Sequence, residues 1–280
     1  MSVISLVRPS SRVPNRIRGF DGPSIVRTVL DRGSSVRDTV RNADMVIYCA
    51  GSVRGLCDDD FEEANVTGLE NIVDAIAEEM AAPKIVLISS LAAAHPHLSA
   101  YAKSKFLGEE IVKRNPNIEW VILRPTAVYG PDDKELLPLL RLIRSGLGLS
   151  LGPCGQRLTF VHVDDCIQAI ISTLENFEAC KGHTFELHDG KKEGYTWEEI
   201  QKVLMVRPAW LRLSIPHGFL KTIAKVNMIG AKIFGYSPML TSGKVNEIWH
   251  RSWVCDNQKI ASYTGWLPTR TLKEGVEISL

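Results

Sequence analysis

The first half of the chain alternates short apolar runs with longer stretches in which apolar residues recur every three or four positions. The runs are Val3–Val7, Ile25–Leu30, Met45–Cys49, Ile85–Ile88 and Trp120–Leu123. Most are nearly continuous in apolar residues, the pattern of strands buried on both faces of a parallel sheet. Between them, Ser34–Asn42 carries Val36 and Val40, and Phe61–Met80 carries Val66, Leu69, Ile72, Val73 and Ile76. Tyr101–Arg114 carries Phe106, Ile111 and Val112 among lysines and glutamates. Each reads as a helix with one apolar stripe. Strand and helix in repetition predict an α/β fold, a doubly wound parallel sheet.

After about Gly152 the rhythm becomes irregular. Thr159–Val163 and Thr184–His188 read as strands, and Asp164–Leu174, Trp197–Leu204 and Phe219–Phe234 as helices. Thr196 stands where an N-cap is expected. Pro208, Pro216, Pro238 and Gly243 punctuate what reads as a smaller lobe.

Composition narrows the field. The chain has 280 residues, 45% hydrophobic and 23% charged, with a net charge of +1, which gives no overall electrostatic case for nucleic acid or an anionic membrane. Six cysteines lie scattered without C-x-x-C spacing, reading as free thiols in a reducing compartment rather than zinc ligands. The N-terminus lacks the apolar core of a signal peptide. Phe219–Phe234 contains Lys221, Lys225 and Lys232, and is too short and charged to span a bilayer. The expectation is a cytoplasmic protein acting on a small molecule, with no metal, nucleic-acid or membrane partner.

The chemistry concentrates at one place. Ser89 and Ser90 close the Ile85–Ile88 strand, and Tyr101 and Lys105 follow, one helical turn apart and so on one helix face. A phenol with an ordinary pKa of about 10 is a poor acid/base at neutral pH, but a neighbouring ammonium favours phenolate. Ser90 can hold a substrate oxygen while Tyr101 exchanges a proton with it. Tyr and Lys four apart are common on amphipathic helices. The strand end in front of them gives the spacing weight, because strand ends of open α/β sheets are where ligands sit.

These segments resemble a known family. Ile88-Ser89-Ser90, Tyr101 to Lys105, Leu123-Arg124-Pro125-Thr126-Ala127-Val128-Tyr129-Gly130-Pro131 and Phe160-Val161-His162-Val163-Asp164-Asp165 occur in the order found in extended short-chain dehydrogenase/reductases, the NAD-dependent epimerase/dehydratase family. Cys49-Ala50-Gly51 and Asn65-Val66-Thr67-Gly68 belong to the same pattern. The resemblance implies Tyr101 as catalytic acid/base, Lys105 as its pKa modulator and ribose contact, and Ser90 as substrate-oxygen donor, with Ser89 as neighbour. It implies Ala50 and Gly51 near the cofactor ribose and phosphates, Pro125, Thr126 and Val128 at the nicotinamide end, and Asp31 near the adenine. Asp31 reads equally as a turn former, and His162, Asp164 and Asp165 read as a strand end and helix cap. Arg8 stands where an acid would bind an adenosine 2′-hydroxyl and an arginine a 2′-phosphate. It leans towards NADP over NAD, a solvated surface arginine being the other reading. The implied division is a dinucleotide-binding domain over 1–155 and a mixed α/β substrate lobe over 156–280.

Two departures stand out. The family opens with a strand and a glycine-rich turn that holds the pyrophosphate, and nothing of that kind precedes Val3, which reads as the start of the family's second strand. The expectation is therefore an N-terminally truncated or mis-started chain, with two neighbours of a central strand left unpaired. The interval from Ser90 to Tyr101 is also short, with His95 and His97 flanking Pro96, which argues against a nucleotide-sugar substrate. The leading expectation is an NAD(P)-dependent oxidoreductase or epimerase for a hydroxyl/carbonyl pair. A non-catalytic dinucleotide-binding sensor or scaffold, and an inactive fragment, stay open as alternatives. A homodimer through the Phe61–Met80 and Tyr101–Arg114 stripes is open too, since both stripes can equally face the sheet.

Overall fold

The computed structural model describes residues 2–10 and 24–279. In chain order its elements are β1 (Ile4–Val7), β2 (Ser24–Arg27), α1 (Ser34–Arg41), β3 (Met45–Tyr48), α2 (Asp59–Glu62), α3 (Gly68–Ala77), β4 (Lys84–Ile88), α4 (Ala100–Arg114), β5 (Trp120–Pro125) and β6 (Ala127–Tyr129). There follow α5 (Leu137–Arg144), β7 (Leu147–Ser150), β8 (Arg157–Leu158), β9 (Phe160–His162), α6 (Val163–Glu175), α7 (Phe177–Cys180), β10 (His183–Leu187), α8 (Trp197–Leu204), β11 (Leu211–Ser214), α9 (His217–Phe234), α10 (Ser242–Trp249), β12 (Ser252–Trp253), α11 (Gln258–Thr264) and α12 (Leu272–Ser279).

The main sheet runs β10-β5-β4-β3, every pair parallel. Its central strands β4 and β5 are buried on both faces, and successive residues serve opposite cores. Ile85 and Leu87 of β4 and Ile122 of β5 pack with Val36, Leu69, Ile72, Ile76 and Val112 from α1, α3 and α4. Val86, Val121 and Leu123 pack on the other face with Ala169, Phe177 and Ile260 from α6, α7 and α11. This is the doubly wound arrangement, with the strand period of two read out against two helix layers. The stripe of α3 and Val112 of α4 are thus spent on the sheet. β10 lies past residue 155 and yet completes the main sheet, so the chain returns to the first core after building part of the lobe.

β1 pairs only with β2, and β3 only with β4, so among the described residues the β1-β2 pair stands apart from the main sheet. One edge of β3 is open, and its Ile47 is 42% exposed.

Phe61–Met80 was expected as one regular helix. The structure interrupts it with a π-helical turn over Glu63–Thr67, between α2 and α3. The wide turn swings the buried Asn65 inward. Its Nδ2 donates to the Ser104 hydroxyl (2.9 Å) and the Ser52 carbonyl (3.1 Å), and its Oδ1 accepts from the Ser52 N–H (3.2 Å). A π turn at such a place is a frequent mark of a functional region. Gly108 of α4 lets the two helices approach: a Cβ there would lie 2.7 Å from the Asn65 carbonyl oxygen, which is backbone and cannot yield. In Gly108→Ala the clash outweighs the roughly 1 kcal/mol of helix propensity gained. A net loss of about 1–2 kcal/mol is expected in chemical denaturation.

The lobe bears out its sequence signals where those were local. Thr196 caps α8 in a complete capping box with Glu199. His162 caps α6 by accepting from the Asp164 N–H, and the Asp165 carboxylate accepts from the Thr269 and Arg270 backbones. Both act as the fold elements expected of them.

Candidate active site

The carboxyl ends of β3 and β4 and the first turns of α4 meet at one point. Ser90 follows β4 in extended backbone and accepts from the Ala92 N–H at 3.2 Å. Ser99, in the same conformation, caps α4 by accepting from the Ala102 N–H at 2.9 Å. That cap fixes where Tyr101 leaves the helix. The Tyr101 ring stands edge-on to Phe61 of α2, centroids 6.3 Å apart. Burial pushes the Tyr101 phenol up from its ordinary value, against the influence of the nearby Ser90 side chain and the charge of Lys244. It is therefore a neutral phenol at physiological pH.

Lys105, one turn further along α4, donates to the Ile88 carbonyl at 3.0 Å. Burial lowers its pKa to about 8, against the pull of Cys49 and Glu109. Gly51, just after β3, faces it: a Cβ there would lie 2.8 Å from Asn65 Oδ1 and 3.4 Å from Lys105 Nζ. Bare backbone thus lies open beside the ammonium, with Ala50 half-buried next to it.

The two serines part company. Ser89 is buried and donates to the Glu109 carboxylate at 2.6 Å. Glu109 also takes both nitrogens of the Arg124 fork, at 2.8 and 2.7 Å, and Lys113 at 3.1 Å. Burial alone would raise Glu109, but the bonds from Arg124 and Ser89 outweigh it and hold the carboxyl below its ordinary range. Of the pair, only Ser90 influences the Tyr101 phenol.

Of the other predicted positions, Pro125 ends β5, and the Thr126 N–H donates to the Leu187 carbonyl. The Thr126 hydroxyl is buried without a hydrogen-bond partner among the described residues. Val128 lies on β6, paired with Val161 of β9, and is exposed. Asp31 accepts from the Gly33 N–H at 2.9 Å and so shapes its own turn. Arg8 is exposed just past β1, and its carbonyl accepts from Arg27. His95 packs against His250 and Trp253, with centroids 4.3 and 5.5 Å away, and so ties the loop after β4 to the lobe.

A cavity of about 210 Å³ opens beside Tyr101, lined by Phe61, Met228, Met239, Lys244 and Glu247 among others. Lys244 donates to Glu247 at 2.8 Å, and Glu247 accepts in turn from the Ser99 hydroxyl. Burial would lower Lys244, but Glu247 outweighs it and the pKa is raised. These two lobe residues were missed. They sit three apart on α10, a common surface spacing, and nothing local ties them to a tyrosine far back in the chain.

The family model for the NAD-dependent epimerase/dehydratase family matches residues 2–187. The chain belongs to this family. Among similar proteins, the ceramide reductase of Caulobacter vibrioides is 30% identical over 228 residues, covering 79% of this chain and 68% of that protein. The decarboxylating sterol-4-alpha-carboxylate 3-dehydrogenase of Candida albicans is 26% identical over 149 residues, covering 46% of this chain and 41% of its own length. The UDP-glucuronic acid 4-epimerase of Bacillus cereus, solved in complex with NAD, aligns with a TM-score of 0.67 at 19% identity, over 95% of this chain and 82% of that one. At that identity the likeness speaks for the fold. Membership of the family makes this an NAD(P)-dependent enzyme of the short-chain dehydrogenase/reductase type. Among the described residues there is no cluster fit to hold a metal and no helix long and apolar enough to cross a membrane.

Proposed function

We propose that the chain interconverts a hydroxyl and a carbonyl group on an amphipathic lipid-like substrate, with Tyr101 as its acid/base. One observation carries the reading. A neutral phenol, near enough to Ser90 to be influenced by it, lies at the mouth of β4 with a buried ammonium one helical turn behind it.

The residues present suit the ribose and nicotinamide end of a dinucleotide. Lys105 and the open backbone at Gly51 would hold the ribose, and the unmet Thr126 hydroxyl offers a partner to a carboxamide. No glycine-rich turn for the pyrophosphate is found among the described residues. A bound nicotinamide supplies or accepts the hydride equivalent. In the reductive direction Tyr101 donates its proton to the carbonyl oxygen that Ser90 orients, and Lys105 stabilises the phenolate left behind. Lys244 adds a second positive charge from the lobe side. Arg8 favours NADP over NAD.

The substrate class rests on two supports. The similar proteins with 30% and 26% identity carry ceramide and sterol names, and the cavity places Met228, Met239 and Phe61 beside Tyr101. The short interval after Ser90 argues in the same direction, away from nucleotide sugars.

Titration calorimetry with NADH and NADPH, followed by turnover on a panel of carbonyl lipids and short soluble analogues, tests the reading. Turnover with either cofactor supports it. Binding without any turnover assigns the chain as a dinucleotide sensor or scaffold, and binding of neither points to an inactive fragment. A pH dependence is also expected. Lys105 is an ammonium below about 8 and loses its proton as pH rises through that value. kcat/KM for the cofactor should therefore fall by about tenfold per pH unit on the alkaline side. A flat profile through that region would remove Lys105 from the cofactor site.

A further inference from the structure

The outer face of α9 is apolar and uncovered. Phe219, Val226, Ile233 and Phe234 are 58%, 64%, 70% and 79% exposed, and Ile223 and Ile229 lie among them. At helical spacing these residues form one stripe along the whole helix. Lys221, Lys225 and Lys232 recur at intervals of four and seven, so they share a single edge beside that stripe. The opposite face carries Leu220, Ala224 and Ala231, which seat the helix on α10 through Val245. The helix is thus amphipathic twice over: a narrow inner face of small residues holds it to the lobe, and a broader apolar face looks out.

The charge around it is one-sided. Between Glu199 and Glu247 the chain has no acidic residue, while seven of its 33 lysines and arginines fall there. The near-neutral total hides this, because the acids are all elsewhere. An apolar stripe edged by lysines in a segment without carboxylates complements a surface that is apolar beneath and anionic above. A docking protein or a second copy of this chain would meet the apolar stripe equally well. A second copy, however, would bring the same row of lysines against these.

We infer that α9 is an in-plane anchor for an anionic lipid surface. Its stripe beds at the level of the upper acyl chains, and its lysines reach the phosphates. The helix does not span. Met228, on the same helix, lines the Tyr101 cavity, so the bed of the anchor and the site lie within about one helix diameter, 10 Å. A lipid carrying the reacting hydroxyl or carbonyl then enters from the surface on which the protein rests. This second step rests on the proposed function, whereas the anchoring does not. The expectation of no membrane partner came from net charge and spanning length, neither of which registers a local, in-plane helix.

Flotation of the full chain with vesicles of phosphatidylcholine and phosphatidylglycerol in equal parts tests the anchor without any turnover. Binding is expected to the mixed vesicles, to weaken with salt, and to be slight on phosphatidylcholine alone. Each lysine is worth about fivefold in partitioning, so K221Q/K225Q/K232Q should bind about 100-fold more weakly. I223D/V226D should lose binding while keeping the wild-type melting temperature, since both side chains are already exposed. No binding to the mixed vesicles, or equal binding to both compositions, overturns the anchor. So does light scattering that shows a dimer which I223D/V226D dissociates. Turnover on a soluble carbonyl analogue separates the two proposals. Vesicle binding without turnover counts against the proposed function alone, and turnover without vesicle binding counts against the anchor alone.

Discussion

Replacing Tyr101 by phenylalanine is expected to lower kcat by about 10²–10⁴-fold, the usual worth of a positioned general acid, while leaving cofactor affinity and fold in place. The ring keeps its edge contact with Phe61, and the helix cap at Ser99 does not involve the hydroxyl. Single-turnover kinetics at saturating cofactor would separate this from a binding defect. If Tyr101→Phe turned over at the wild-type rate, proton transfer would have to come from another group. Lys244, whose charge reaches Tyr101, is a titratable side chain on the same cavity wall.

The direction of the tyrosine's pKa matters to this expectation. Burial raises it, so the resting enzyme holds a proton ready to give, which suits reduction of a carbonyl. In the oxidative direction the same residue must first lose its proton, and Lys105 offers the compensating charge only while it is itself protonated. Burial of Lys105 brings that limit down to about 8. Oxidation thus has a narrow range in which the phenolate and the ammonium coexist, and reduction has the wider one.

Much of this was legible in the chain before any coordinates. The five apolar runs became strands within two or three residues at either end; for β4 and β5 the reason is that a strand buried on both faces must be apolar throughout. The capping box at Thr196 and the cap at His162 depend only on neighbours three residues away or fewer, and they formed as read. The π turn at Glu63–Thr67 was not legible. The apolar stripe from Leu69 to Ile76 is continuous with Phe61 in helical phase, and only the contact of Asn65 with Ser52 and Ser104 forces the extra residue into the turn. The sequence reading preferred Ser90 to Ser89, but it could not see that Glu109, a residue on another element, takes the Ser89 hydroxyl. Asp31 proved to shape a turn, the blander of its two readings. Lys244 and Glu247 could be found only once the lobe had folded back over α4.

The largest effect on stability is expected at a pair that makes no contact with the cavity. Arg124→Met should cost about 3 kcal/mol, because it leaves the buried Glu109 carboxylate without its bidentate partner. Lys113 remains within 3.1 Å, which keeps the loss at the low end for a broken buried pair. The sign with pH follows from the direction of the shift. Glu109 is held below its ordinary value of 4.5 in the folded chain, so the stabilisation is fully present above the unfolded value and is lost as pH falls through the folded one. The difference between wild type and Arg124→Met, measured by chemical denaturation, should therefore be widest near neutrality and shrink on acidification. A difference that stayed constant with pH would mean that Arg124 acts by packing alone. Converting both partners, Arg124→Met with Glu109→Leu, should recover most of the loss, since the uncompensated charge is gone. Turnover should not recover with it. Glu109 holds Ser89 next to Ser90, the proposed substrate-oxygen donor, and its charge acts on Lys105 one helical turn before it, so the double variant would fold well around a site that has lost a positioning group.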